Sequence, residues 1–297
     1  MYPTLYELNG LGLHTWGLMV TLAFLGAILV VHLRAPRVGI DPDLLVPLYL
    51  LAVATGLGGS RLLHFVFAQP ADLVADPLIL FNPNRGGFAF YGGVIGGVVS
   101  GGIYAKVRKI PMWKLLDLGA PAIMLGLAIG RVGCFFAGCC HGALCPAPLG
   151  DELVAFAGGA VHRVEGFPWV ALIFNGLGVG RILDRPLYPT QLFEITTGLT
   201  LFTLLSVVWS RFRRWDGQVL ALMLIGYAIA RTFNEQLRGD TVRGVHSLGP
   251  ISVSTSQIVA AAMILTAAVI IALRRKQGLG PERPYEAPEL PGLPPLR

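Results

Sequence analysis

The run 115-LLDLGAPAIMLGLAIGRVGCFF-136 decides the fold class. It holds 22 mostly apolar residues, and a helix of about 20 such residues crosses a hydrocarbon core about 30 Å thick. Six more stretches reach spanning length: roughly 13–33, 44–67, 88–107, 190–210, 217–237 and 251–273. Over the 297 residues, 54% are hydrophobic and 13% charged, against about 25% charged in ordinary soluble domains. These numbers predict an all-α integral membrane protein of about seven transmembrane helices. Residues 1–276 would form the membrane domain, and the six-proline stretch 277–297 a disordered tail. Met1 to Gly12 has no basic leader, so the first run reads as a retained anchor.

Basic residues orient the helices. Arg34 and Arg37 follow the first run, and Lys106, Arg108, Lys109 and Lys114 separate the third from the fourth. Arg211, Arg213 and Arg214 follow the fifth, and Arg274, Arg275 and Lys276 the seventh. All four clusters share one side if the N-terminus is outside and the C-terminus cytoplasmic. The net charge of +6 then reports inside-facing anchors, and nucleic acid is not an expected partner, since its basic patch needs a soluble face. With this orientation the loop 137–187 is a small periplasmic head. Within it, 169-WVALIFNGLGVG-180 is apolar but too short to span, and reads as a strand or an interfacial piece.

Ionisable side chains inside spanning segments are costly and point to sites. Arg61, Arg131, Glu194, Arg231 and Glu235 are such residues, with Arg238 at a boundary. Arg131 lies seventeen residues past Lys114, about 25 Å across at a helical rise of about 1.5 Å per residue. The same reckoning puts Arg61, Tyr91, Glu194, Arg231 and Glu235 near the outer interface. Arg231, Glu235 and Arg238 share one helical face, as do Gln191 and Glu194. The arginines outnumber the carboxylates, and arginine is the preferred fork for phosphate oxygens. An anion such as a phospholipid headgroup is one reading of this cluster. Internally compensated ion pairs are the other.

Cys134, Cys139, Cys140 and Cys145 all fall at or beyond the outer end of the fourth run. A disulfide, a metal site with His141, and packing as small hydrophobes all remain open. His14, His64, His141 and His246 are each candidate bases or simple interfacial residues. The glycines of the third run, Gly92, Gly93, Gly96, Gly97, Gly101 and Gly102, suit close helix contact, with backbone approach to a ligand as the second reading.

Six separated motifs are similar to those of the prolipoprotein diacylglyceryl transferase family: 16-WGLM-19, 58-GGSRLLHFVF-67, 91-YGGVIGG-97, 130-GRVGCFFAGCCHG-142, 188-YPTQLFE-194 and 231-RTFNEQLRGD-240. The resemblance implies an inner-membrane enzyme that moves the diacylglyceryl group of phosphatidylglycerol to the lipobox cysteine of a prolipoprotein signal peptide. It implies no metal and no soluble cofactor. By position, Arg131 matches the lipid-binding arginine and Arg231 a second essential arginine, followed by Glu235 and Arg238. Gly142 closes the signature, Gln191 and Glu194 fall in the PxQLxE run, and Gly92 and Gly93 are the paired glycines; with Arg61 these are the expected substrate-binding residues. Several positions depart from the family pattern. Tyr91 stands where the family usually has a histidine, Trp16 for a tyrosine, and Tyr188 for a histidine. Cys134, Ala137 and Cys139 replace two asparagines and a glutamate. A tyrosine with an ordinary pKa of about 10 is a poor base at pH 7, so His141 and Glu235 join Tyr91 and Arg231 as catalytic candidates. Competing readings are another acceptor or thiol chemistry on the same scaffold, and a lipid or anion transporter. No internal repeat supports the last.

Overall fold

A computed structural model describes residues 4–8, 11–82, 87–156, 159–165, 170–174, 186–238, 245–248 and 251–279. Among them the long helices are α1 (Thr15–Arg34), α2 (Leu45–Ala68), α4 (Phe90–Val107), α5 (Met112–Ala137), α6 (Thr190–Val207), α7 (Gln218–Gln236) and α8 (Thr255–Arg274), with a short α3 (Pro70–Ala75) after α2. Five of them, α1, α2, α5, α6 and α8, are long and apolar enough to cross a membrane. α4, which carries six glycines, and α7, which has Arg231 and Glu235 near its end, are not among them. On α1 the exposed Leu25, Leu29 and Leu33 recur every fourth residue and form an apolar stripe suited to lipid. The expected tail lies outside the described residues beyond position 279.

The all-α expectation needs one amendment, because short strands lie between the helices. β1 (Thr4–Leu8) and β2 (Leu11–His14) form a hairpin, as do β6 (Val245–Leu248) and β7 (Ile251–Ser254). The expected head contains an antiparallel sheet in the order β3 (Leu149–Phe156), β4 (Gly159–Val164), β5 (Val170–Phe174). The short apolar piece is thus a strand over its described part; residues 175–180 lie outside it. Leu172 and Leu187 are buried against Phe135 and Leu192, which seats the sheet on the end of α5 and the start of α6. An apolar segment of five residues cannot span a bilayer, so it buries its face against the helix ends instead.

The chain divides into two compact units, residues 32–115 in one, and 1–31 with 116–280 in the other. In the first unit α2 packs on α4 through glycine. A Cβ on Gly92 would meet the Gly59 carbonyl oxygen at 2.1 Å, and one on Gly96 the Thr55 oxygen at 2.3 Å. Only hydrogen at those positions lets the backbones approach. Thr55 and Ser100 hydroxyls share a hydrogen bond of 2.8 Å across the same contact.

In the second unit α5 meets both α1 and α6 at glycines. Gly133 receives α1, where its Cβ would lie 2.8 Å from that of Met19, and Gly198 on α6 abuts the Met124 oxygen. At the other end of α5, the buried Asp117 accepts from Gly217 N–H at 2.8 Å and Leu220 N–H at 3.0 Å. These amides are orphan donors of the first turn of α7. Gly217 has no side chain to cap them, so a carboxylate from another helix does it.

Candidate active site

The C-terminal end of α5 closes with a Schellman motif. Gly138 adopts φ 70°, its N–H donates to Phe135 O at 3.2 Å, and Cys139 N–H reaches back to Cys134 O at 3.1 Å. This bond pattern stacks the residue two past the helix cap on the residue three before it. In most proteins that contact is between hydrophobes. Here it is Cys139 on Cys134. Cys140 then takes φ 61°, a left-handed conformation rare for a side chain with a Cβ. The sulfurs of Cys134, Cys139 and Cys140 all lie within 4.8 Å of one another. Helix α6 pins this turn: Thr190 donates to Cys140 O and Gln191 to Cys139 O, both at 2.9 Å.

All four cysteines are free thiols. Cys145 sits apart from the triad, buried against Val164 and Ala171 under the sheet. Packing as a small hydrophobe describes Cys145, and Cys134 is buried as well. Hydrogen bonds from the Cys134 and Cys139 thiols hold the Cys140 thiol far below the ordinary thiol range, and the fields of Arg131 and Arg238 add to this.

One turn along, Glu194 organises the charges. Its carboxylate pairs with Arg131 Nε through Oε2 and with Arg231 Nη1 at 2.8 Å through Oε1. Asn234 Nδ2 also donates to Oε1, at 2.7 Å. Arg231 Nη2 pairs with Glu235 at 2.9 Å one turn away and donates to Ser256 Oγ at 3.0 Å. Glu194 is buried, which makes these pairs strong in geometry and intolerant of a missing partner. Arg131, Arg231, Glu194 and Glu235 balance, and Arg238 adds the surplus positive charge. Arg131 Nη1 also reaches Cys134 Sγ at 3.9 Å, so the charge network and the thiol triad are continuous.

Gly142 has a packing role. A Cβ there would fall 2.6 Å from Tyr188 Cβ and 2.7 Å from Leu237 O. Its N–H donates to Tyr188 O at 3.0 Å, and Ala143 N–H donates to Leu237 O at 2.9 Å. The chain after α5 is thereby threaded between the segments that begin α6 and end α7. His141 is half-buried, with Nδ1 3.1 Å from Gly142 O.

Arg131, Cys134, Gln191, Glu194, Arg231 and Glu235 therefore come together from α5, α6 and α7, with His141, Gly142 and Arg238 on adjoining turns. Arg61, Tyr91, Gly92 and Gly93 belong to the other unit. There Arg61 donates to the carbonyls of Ile79 (3.1 Å) and Asn82 (2.9 Å) and lies over the rings of Phe65 and Phe88. Gly92 and Gly93 are used by the α2–α4 contact. Tyr91 is largely exposed. The sequence reading missed Asn234, Ser256 and Asp117. Asn234 lies three residues past Arg231, a spacing that placed it within reach; Ser256 comes from another helix and left no local signal.

A family model described as prolipoprotein diacylglyceryl transferase matches residues 3–273. The chain belongs to the prolipoprotein diacylglyceryl transferase family. It is 31% identical over 262 residues to a phosphatidylglycerol–prolipoprotein diacylglyceryl transferase of Clostridium tetani, covering 87% of this chain and 92% of that one. The same-named protein of Bacillus cytotoxicus is 32% identical over 252 residues, covering 84% and 83%. That of Bacillus cereus is 29% identical over 277 residues, covering 93% of each. Family membership and the arginine–glutamate network rest on independent grounds, one on the whole chain and the other on side-chain geometry.

Proposed function

We propose that the protein transfers the diacylglyceryl group of phosphatidylglycerol to the lipobox cysteine of a prolipoprotein, within the bacterial inner membrane. The observation that carries this is the buried Glu194 joining Arg131 to Arg231. A guanidinium has five N–H donors in a rigid fork. Glu194 engages one edge of each and fixes its orientation, so that remaining donors face a phosphodiester. As the C–O bond to phosphate breaks, charge grows on the phosphate oxygens, and preorganised arginines stabilise that charge without reorganising. Gln191 Oε1 and Asn234 Oδ1 are buried acceptors without a partner among the described residues. The two hydroxyls of the glycerol headgroup are donors of the kind they require.

In this reading all seven long helices span, with the N-terminus outside and the basic clusters cytoplasmic. Helices α4 and α7 cross as members of the bundle and not by hydropathy alone. The β3–β5 sheet and the thiol turn then lie on the periplasmic side, where lipobox cysteines are modified.

The test is complementation. In a strain depleted of its own transferase, this chain should restore lipidation of a reporter lipoprotein, seen as a mass gain of one diacylglyceryl group. A well-expressed, membrane-inserted chain that yields no lipidated reporter overturns the assignment.

A further inference from the structure

We propose that Cys134, Cys139 and Cys140 form a zinc site whose fourth position receives the acceptor thiol; the proposal rests on the transferase reading above. Zinc bound by thiolates has Zn–S bonds of about 2.3 Å, and tetrahedral angles then place the sulfurs about 3.8 Å apart. The triad, with every sulfur within 4.8 Å of the others, lies close to that spacing. The backbone is already committed: a Schellman turn stacks two of the thiols, a left-handed Cys140 presents the third, and two α6 side chains hold both carbonyls. A left-handed conformation at a non-glycine residue is strained, and such strain gathers at functional sites.

Three ligands mark the catalytic kind of zinc site, which keeps a position open, and not the closed four-ligand structural kind. The fourth cysteine, Cys145, is held away under the sheet. Three thiolates and one Zn²⁺ carry a net charge of −1, and Arg131, 3.9 Å from Cys134 Sγ, balances it.

The chemistry answers a question this chain raises. A tyrosine stands where a histidine base is expected, yet the acceptor must react as a thiolate. A thiol that coordinates zinc is deprotonated outright. On coordination the lipobox thiol releases its proton to water. Its sulfur lone pair then forms the C–S bond at the glyceryl carbon. The C–O bond to phosphate breaks, and glycerol phosphate departs with that electron pair between Arg131 and Arg231. The thioether product is neutral, binds zinc more weakly than a thiolate, and leaves.

The experiment uses the full chain, purified reduced in detergent. About one zinc per chain is expected, retained in Cys145→Ala and lost in Cys139→Ser. The wild-type protein loaded with Co²⁺ should show tetrahedral thiolate bands that shift when a lipobox peptide is added, and remain still when its cysteine is replaced by serine. Chelation should lower lipidation at least 100-fold, with recovery on adding Zn²⁺. Full-rate lipidation by protein holding less than one-tenth zinc per chain overturns the proposal and leaves the transferase assignment standing. So does a disulfide within the triad of the active protein, or cobalt bands indifferent to the thiol peptide. Stoichiometric metal and a thiol-dependent shift without any lipid transfer uphold the site and count against the transferase assignment.

Discussion

Arg231 Nη1 donates to Glu194 Oε1 at 2.8 Å, across from α7 to α6, and the other oxygen of the same carboxylate holds Arg131 of α5. Removing the carboxylate takes the shared anion from Arg131 and leaves Arg231 with Glu235, and breaking a buried pair in this way costs about 3–5 kcal/mol. Glu194→Ala should therefore melt well below wild type in detergent. Glu194→Gln keeps the shape but loses the charge, and its lipidation rate should fall about 100-fold with a smaller change in melting temperature. A Glu194→Gln enzyme with unchanged turnover would remove this carboxylate from the mechanism.

Arg131 and lysine are not interchangeable at this site. Arg131 spans Glu194 through Nε and Cys134 through Nη1, a two-edged contact that a point charge cannot make. Arg131→Ala should abolish lipid transfer, and Arg131→Lys should retain under about one-hundredth of the rate, as one lost charge-stabilising contact costs about 10²–10³-fold. The measurement is the single-turnover transfer of labelled lipid to a lipobox peptide.

Gly142 tests packing instead of chemistry. Its substitution by alanine drives a methyl into the Leu237 carbonyl and Tyr188, and overpacking of this kind costs about 1–3 kcal/mol. Thermal denaturation should show the loss. An unchanged melting point, with lost lipid binding, would instead restore Gly142 to the substrate.

Asp117 should matter for stability alone. Asp117→Ala uncovers two amides at the start of α7, and loss of such a cap costs about 1–2 kcal/mol. Melting temperature should fall while the turnover of folded enzyme stays within twofold of wild type.

Tyr91→Phe separates a phenol base from the alternatives. Turnover should remain above about half of wild type, because a neutral phenol is a feeble proton acceptor and Tyr91 is exposed. A fall below one-tenth, in enzyme that still binds phosphatidylglycerol, would assign the proton transfer to this hydroxyl.

Much of the architecture was legible in the chain itself. Helix positions followed from runs of apolar residues, since a bilayer admits few other structures. The charged residues of the site were legible because charge in a spanning run is costly and so is rarely accidental. Local spacing also paired Arg231 with Glu235. Less visible was the role of glycine: Gly142 carried the same letter whether it faced a lipid or a carbonyl, and only the neighbours from α6 and α7 distinguished the two. Asp117 was hidden for a similar reason, because the amides it caps lie 100 and 103 residues away.

The cysteines mark the boundary. Four of them within twelve residues, Cys134 to Cys145, are plain in the sequence, and so is their place at the end of an apolar helix. Spacing alone left disulfide, metal and packing open, because a run of glycines and cysteines past a helix end has no single conformation. The tertiary structure decided which thiols meet. A glycine in the left-handed region closes the helix and stacks Cys139 on Cys134, α6 pins the two carbonyls that follow, and the sheet draws Cys145 away. Sequence alone thus determined that the chain carries runs long and apolar enough to cross a membrane, with costly charges inside them. Long-range hydrogen bonds, which no local pattern encodes, decided that three sulfurs and two arginines share one site.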